Sequence, residues 1–169
     1  MDPRVYFQQQ IGGVRRLLDN ITADLTDDQF NWSPPGTISP ASALLLHVVS
    51  GEDFYIQTVI QGQPRLWEAQ GWGAKVGVQS PPRPGSDWEV FKTLRLPLAP
   101  MLDYQRAVRP ATDAYLARLT EDELCRSVNF ANRIMPVSEV LMTLVVHTTG
   151  HAGEIAAIKG FQGAKGLPY

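Results

Sequence analysis

Apolar side chains recur every three or four residues in four long stretches of the chain. This spacing places them on one face of an α-helix, so the pattern predicts four amphipathic helices. We expect these helices to cover approximately residues 3–22, 40–61, 100–119 and 138–160. Alternation with a period of two is weak throughout, so strands are not expected. Four helices that each bury one apolar face predict an all-α fold, a four-helix bundle.

Residues at the ends of these stretches are suited to begin or interrupt helices. Asp2 and Ser39, each followed by a proline, are expected to cap the first and second helices, and Ser138 is expected to cap the fourth. Pro110 lies inside the third helix and should kink it, because proline has no amide proton to donate. A capping-box pattern at residues 86–89 predicts one further short helix.

A long segment rich in proline and glycine separates the second and third helices. Residues 62–85 contain four prolines and five glycines and show little periodicity, which predicts a long loop. Trp67, Trp72 and Trp88 lie in or beside this loop. The tryptophans could wall a pocket or form a dimer contact, and the alternative is that they only pack the loop against the bundle.

Length and composition narrow the classes of protein. The 169 residues suit one domain, and we expect a single domain over residues 1–169. The 15 basic and 17 acidic residues form no basic cluster, so nucleic-acid binding is not expected. Cys125 is the single cysteine, which excludes an intramolecular disulfide and indicates a reducing compartment. There is no leader pattern and no apolar run of about 18 residues. We therefore expect a cytoplasmic protein that does not bind membranes.

The three histidines of the chain are placed where they could meet. His147 and His151 are four residues apart on the fourth helix, a spacing that lets two imidazoles reach one ion. His47 lies on the second helix in a stripe with Leu44, Gly51, Phe54 and Thr58 that should face the bundle interior. Spacing alone leaves open that the three are unrelated core or surface histidines.

Three imidazoles would form an open site for one divalent metal ion. Zinc and nickel are the first candidates, and iron, cobalt and manganese are further ones. Three protein ligands leave a coordination position for water or substrate, which is typical of a reactive site. Because the imidazoles must be neutral to bind, we expect metal affinity to fall below about pH 6.5.

Several short motifs, taken in their order and separation, are similar to one known family. They are Trp32-Ser33-Pro34-Pro35-Gly36, Leu46-His47 with Glu52 behind it, and His147-Thr148-Thr149-Gly150-His151-Ala152-Gly153-Glu154-Ile155. Together they resemble the DinB/YfiT-like metal-binding superfamily over essentially the whole chain. The resemblance implies a four-helix bundle with a three-histidine metal site at His47, His147 and His151, often in a homodimer.

The chain departs from many of these relatives around the last histidine. They carry a His-Arg-Gly-Gln pattern there, whereas this chain has Ala152 and Glu154. Helical spacing places Glu154 on the same face as the two histidines, where we name it as a candidate catalytic residue. It could support a ligand or act as a general base. A solvated carboxylate at the bundle end is the alternative.

These observations favour a metal-dependent enzyme that acts on a small molecule. The resemblance implies a hydrolase or a transferase that uses a low-molecular-weight thiol, such as bacillithiol or mycothiol. A metal would lower the pKa of a thiol or a water. Two alternatives remain: a non-catalytic metal-binding module of the stress response, and a metal-free helical interaction protein.

Overall fold

Four long helices form the body of the structure, a computed structural model that describes residues 2–168. In chain order the helices are α1 (Pro3–Thr22), α2 (Asp27–Asn31), α3 (Ala41–Asp53), α4 (Leu66–Ala69), α5 (Trp72–Val76), α6 (Leu98–Leu116), α7 (Glu121–Cys125) and α8 (Val137–Phe161). Helix α8 packs against α1 and α3, and α6 closes the ring by contacting α3 and α1. The predicted four-helix bundle is confirmed. The sequence predicted a single domain over residues 1–169, and positions 1 and 169 lie outside the described residues.

The helix starts follow the predicted caps only in part. The side chain of Asp2 accepts a hydrogen bond of 2.8 Å from the amide of Arg4, as expected for the cap of α1. The caps predicted at Ser39 and Ser138 are wrong, because extended prolines precede α3 and α8 and no side chain caps either helix. For α8 the physical reason is that a strand runs directly into the helix, so Ser138 already lies in the first turn.

The second long helix changes its winding before it ends. A π-helical segment, Phe54–Ile60, continues α3, and the amide of Gln61 donates to the carbonyl of Ile56, five residues earlier, at 3.2 Å. A π-helical segment widens the helix and turns its side chains out of the α-helical register. Phe54 and Thr58, which were predicted to face the bundle interior, are exposed.

The predicted loop is only partly irregular. It contains the short helices α4 and α5, and a 3₁₀ turn, Glu89–Lys92, stands where a short capped helix was expected. The side chain of Asp87 accepts from the amide of Glu89 at 2.9 Å, so the predicted capping box is replaced by a local turn. Pro110 lies inside α6, which begins at Leu98 and ends at Leu116.

A small β-hairpin precedes α8, and the expectation that the chain has no strands is wrong here. Strands β1 (Ser127–Phe130) and β2 (Arg133–Pro136) pair antiparallel with Phe130 opposite Arg133. The two turn residues, Ala131 and Asn132, have φ angles of 52° and 63°. Hairpin turns of this kind usually carry glycine at left-handed positions, so the sequence lacks the usual signal.

The bundle core consists of two apolar clusters with polar side chains between them. Along α1, Ile11 belongs to one cluster and Leu18 to the other, and the buried Arg15 lies between them. Arg15 forms an ion pair with Glu52 of α3, and the hydroxyl of Thr112 on α6 donates to the same carboxylate at 2.7 Å. A buried charge is tolerated when it is paired and hydrogen-bonded. No helix within residues 2–168 is long and apolar enough to cross a lipid bilayer.

Candidate metal centre

The three histidines come together between α3 and α8. His47 is on α3, and His147 and His151 lie one turn apart on α8. One ring nitrogen from each lies within 4.8 Å of those of the other two. The ring centroids are 4.6 to 5.0 Å apart. The three side chains therefore meet around one point, as the sequence predicted, and their role as metal ligands stays a prediction.

His47 is oriented by the long loop. Its Nδ1 lies 2.8 Å from the carbonyl oxygen of Pro82. Because a carbonyl oxygen only accepts hydrogen bonds, Nδ1 must carry the proton, and Nε2 presents a lone pair. The Trp88 ring packs edge-on against the imidazole with a centroid distance of 4.9 Å. His47 thus has one nitrogen fixed by the loop and the other facing the remaining histidines.

His151 is oriented by its own helix. Its Nδ1 lies 2.5 Å from Oε2 of Glu154, one turn further along α8. The carboxylate accepts the Nδ1 proton, which leaves the Nε2 lone pair free. A carboxylate behind a histidine in this way is the usual means of fixing the tautomer of a metal-ligating imidazole.

His147 is held more by packing than by hydrogen bonds. Its Nε2 lies 2.9 Å from Nε2 of His47, so in the metal-free protein His147 donates this hydrogen bond. Its Nδ1 is buried and has no hydrogen-bond partner among residues 2–168. The ring lies so close to Gly51 that a Cβ atom there would be 3.0 Å from Cε1 of His147. Glycine at position 51 therefore lets the imidazole approach α3.

Burial keeps two of the three imidazoles neutral. Burial, together with the neighbouring imidazoles of His47 and His151, lowers the pKa of His147 to about 3. Burial also lowers the pKa of His47, although the hydrogen bond to Pro82 opposes this. Both side chains are thus in the neutral form at pH 7, and this is the form that binds metal ions.

The donor set fits a divalent cation. Two imidazole nitrogens that bind one tetrahedral ion at about 2.1 Å are about 3.4 Å apart. The distance of 2.9 Å between the Nε2 atoms of His47 and His147 is close to this value. A small opening of the pair, with the His147 proton moved from Nε2 to Nδ1 of the same ring, which has no hydrogen-bond partner in the described part of the chain, would accommodate an ion. Neutral imidazoles suit zinc, nickel and other divalent transition metals.

A cavity of about 800 Å³ adjoins the cluster at His47. Four residues of the predicted stripe line it: His47, Gly51, Phe54 and Thr58. Its remaining walls come mainly from the long loop and from the turn of the β-hairpin. The size is within the range of small-molecule pockets. The structure thus brings the candidate ligands to the edge of a space that could hold a substrate.

The three tryptophans have different places. Trp88 contacts His47, whereas Trp67 and Trp72 pack against Tyr104 with centroid distances of 5.2 and 5.4 Å. Two of the tryptophans therefore hold the loop against the bundle, which was the alternative interpretation. The third lies at the site.

Asp53 was not anticipated as a residue that shapes the site. Its carboxylate accepts hydrogen bonds of 3.0 Å from the amides of Leu66 and Trp67 and one of 2.7 Å from the hydroxyl of Tyr104. Burial raises the pKa of Asp53, and the same hydrogen bonds oppose the rise. The contact fixes the start of α4 to the end of α3. An acidic residue within a largely apolar helical stretch was the signal available in the sequence.

The chain is similar in sequence and in fold to one family of proteins. The sequence model of the DinB superfamily matches residues 10–155. A conserved protein from Enterococcus faecalis has a crystal structure with a TM-score of 0.78 and 19% identity, over 94% of this chain and 96% of that one. A DinB-like protein from Bacillus cereus gives 0.59 and 20%, over 96% and 95%. One from Bacillus subtilis gives 0.57 and 17%, over 98% and 95%. Identities this low show a shared fold, and no curated protein matches the sequence.

Proposed function

The chain belongs to the DinB superfamily, and we propose that it binds one divalent metal ion through His47, His147 and His151. The observation that carries the proposal is the mutual placement of the three imidazoles within 4.8 Å. Two of them have Nδ1 committed to an acceptor, so their Nε2 lone pairs are available. We name zinc and nickel as first candidates, with iron, cobalt and manganese next.

The proposal extends to catalysis: the protein is a hydrolase or a low-molecular-weight-thiol S-transferase. Two features support this over a purely structural site. Three protein ligands leave a coordination position open, and a large cavity reaches the cluster at His47. The ion would supply Lewis acidity that lowers the pKa of a thiol or water in the cavity.

The residues of the chain would do the positioning. The Pro82 carbonyl holds His47, and Glu154 holds His151 in the tautomer that binds metal. Of the two roles that the sequence left open for Glu154, its contact supports positioning of His151, and the role of general base stays a prediction. Gly51 leaves room for His147, and Trp88 covers His47 from the loop side.

Metal titration of untagged protein tests the first part. We expect one Zn²⁺ or Ni²⁺ per chain by calorimetry and elemental analysis, and we expect His147→Ala to lose it. Thr143→Ala, one turn earlier on α8, is a matched control that should bind as the wild type does. Equal metal binding by the wild type and His147→Ala would overturn the proposal.

A turnover assay tests the second part. The metal-loaded protein would be incubated with bacillithiol, mycothiol or glutathione and an electrophile, and separately with ester and amide panels. Metal-dependent turnover that His147→Ala lacks is expected. Metal binding that raises the melting temperature without any turnover would instead identify a non-catalytic metal-binding module.

We also propose that the protein is a homodimer, as the family resemblance implies. The outer face of α8 supports this, since Met142 and Val146 are 45% and 63% exposed on a helix that is apolar on most sides. Light scattering should give twice the chain mass for the wild type. Val146→Glu should give the monomer mass, and an unchanged mass in that variant would exclude this face as the interface.

A further inference from the structure

Arg83 lies at the wall of the cavity with its backbone fixed. Four hydrogen bonds hold the peptide groups on either side of it: its amide donates to the hydroxyl of Ser86 at 3.0 Å, and its carbonyl accepts from that hydroxyl, from the Ser86 amide and from the Trp88 indole at 2.7, 3.0 and 3.1 Å. The position of the Cα atom is therefore well determined. The side chain is exposed and lines the cavity.

The guanidinium of Arg83 is uncommitted. All hydrogen bonds that Arg83 makes within residues 2–168 use its backbone. The cavity is also lined by Arg65, but that side chain forms an ion pair with Glu68, another lining residue. Of the two arginines that line the cavity within residues 2–168, Arg83 is therefore the one without an ion-pair partner. A guanidinium presents parallel N–H groups that match a carboxylate.

The rest of the cavity wall is mostly apolar and aromatic. Phe54, Tyr55 and Phe130 form one side, with ring centroids 5.2 to 6.4 Å apart. Phe54 is 36% exposed, although its ring is part of this wall. Three prolines of the long loop form much of the other side: Pro64, Pro82 and Pro84. Rings and prolines of this kind favour a flat, apolar occupant.

Arg83 is connected to the histidine cluster through one peptide group, the one between Pro82 and Arg83. The carbonyl that accepts from His47 is that of Pro82, and this peptide group leads directly to Arg83. A molecule paired with the guanidinium would therefore lie in the cavity that His47 also lines. The same cavity offers a positive charge for recognition and borders the candidate metal ligands.

We propose that the cavity binds a molecule with an apolar, ring-sized body and a carboxylate group, and that Arg83 pairs with the carboxylate. This assigns Arg83 as a specificity-determining residue. It names the substrate class of the site described above and rests on the proposed function only for the chemistry at the histidines. A second cavity, of about 620 Å³, is lined by Arg118 and Arg126, but these already bond to Gln61 and Glu123.

Calorimetry with two matched probes tests the proposal. 4-Phenylbutyrate carries the carboxylate, and 4-phenylbutanol is its neutral counterpart. Both are titrated into EDTA-treated and zinc-loaded protein. We expect the acid to bind at least about ten times more tightly than the alcohol in both preparations. We expect Arg83→Gln to remove this preference, Arg83→Lys to keep part of it, and Phe130→Ala to weaken both probes.

The controls separate this proposal from the previous one. Arg95→Gln, which removes an exposed arginine paired with Asp28 away from the cavity lining, should bind as the wild type does. Binding of the acid that survives in Arg83→Gln but is lost in His147→Ala would overturn the proposal, because the carboxylate would then be a ligand of the metal. No binding of either probe, or no preference for the acid, would also overturn it. Arg83-dependent binding by a protein that takes up no metal would refute the metal-centre proposal alone.

Discussion

The side chain of His151 depends on a carboxylate of its own helix. Glu154 accepts the Nδ1 proton at 2.5 Å, although its side chain is 56% exposed. A carboxylate in this position fixes the tautomer and the orientation of the imidazole. Glu154 is therefore expected to affect metal binding indirectly, by orienting His151.

Replacing Glu154 by glutamine should weaken metal binding. An amide oxygen still accepts the Nδ1 proton but lacks the charge, so we expect affinity to fall about ten-fold, the lower end for such supporting residues. Competition with a chromophoric chelator measures this. Glu139→Gln, an exposed glutamate on the same helix, is the matched control and should have no effect. Equal losses in the two variants would contradict the role given to Glu154.

The glycine at position 51, which lies against the ring of His147, should be important for metal binding. In Gly51→Ala the new methyl group would meet Cε1 of His147 at 3.0 Å, so the ring must move and metal affinity should fall. Gly150→Ala on α8 is the matched control, because a Cβ atom there meets no other atom within 4 Å. That control should bind metal normally and gain about 0.5–1 kcal/mol of stability, since alanine favours the helix. Metal titration and urea denaturation measure both effects, and unaltered binding by Gly51→Ala would count against the contact.

At the scale of elements, the long loop is attached to the bundle by Asp53. Its carboxylate fixes two amides at the start of α4 and the hydroxyl of Tyr104. Asp53 directly precedes the π-helical segment, which begins at Phe54 and carries part of the aromatic wall of the cavity. The same residue therefore positions both the loop and this wall. The loop is thereby positioned to present Pro82 to His47.

Asp53→Asn should loosen this attachment. Only one oxygen remains to accept, and the amide group would face an N–H donor, so we expect a loss of about 1–3 kcal/mol in the free energy of unfolding. Denaturation in urea measures it. Asp87→Asn, at an exposed position between the long loop and the 3₁₀ turn, should change stability little. A similar loss in both variants would show that burial of Asp53 is not the cause.

The elements that the sequence predicted well are those in which apolar residues recur with a clear helical period. Helix α1 is found where expected, because Ile11 and Leu18 follow the helical repeat and Asp2 caps it. The hairpin was missed because its left-handed turn is made by Ala131 and Asn132 rather than by glycine. The π-helical segment was missed because its residues also fit an α-helical repeat.

The same distinction holds for the candidate site. The histidines could be found because they lie on predicted helices, where spacing determines direction. Pro82 and Arg83 could not, because they lie in the loop between helices, where direction depends on tertiary contacts such as that of Asp53. The part of the site that recognises a substrate was thus less predictable than the part that would hold a metal.

At the scale of the whole molecule, the buried cluster makes stability depend on pH. The pKa of histidine is near 6.5 in an unfolded chain, whereas that of His147 is about 3 in the folded protein. Between these values the unfolded chain binds a proton that the folded chain does not. The free energy of unfolding should therefore decrease as pH falls through this window, by at most about 1.4 kcal/mol per pH unit for this residue.

Urea denaturation of EDTA-treated protein at pH 7, 6, 5 and 4 measures this dependence. His147→Gln removes the titrating group, so its stability should fall less steeply over the same range. Parallel curves for the wild type and the variant would show that His147 is not desolvated in the folded protein. The lowered pKa values of His47 and His147 also mean that these two candidate ligands stay neutral below the pH of 6.5 expected from sequence.

The peptide group between Pro82 and Arg83 is a rigid unit that connects two functions. Its carbonyl oxygen accepts the hydrogen bond from His47, and the residue that follows carries the guanidinium proposed to bind the substrate. If an occupant that pairs with the Arg83 side chain changes the position of this peptide group, it also changes the position of the oxygen that accepts from His47, and the two binding equilibria are then thermodynamically linked. Such linkage is reciprocal. If the metal ion increases the affinity for the occupant by some factor, the occupant increases the affinity for the metal ion by the same factor. A loop exchanged between relatives would then alter both affinities together, while the four helices stay unchanged.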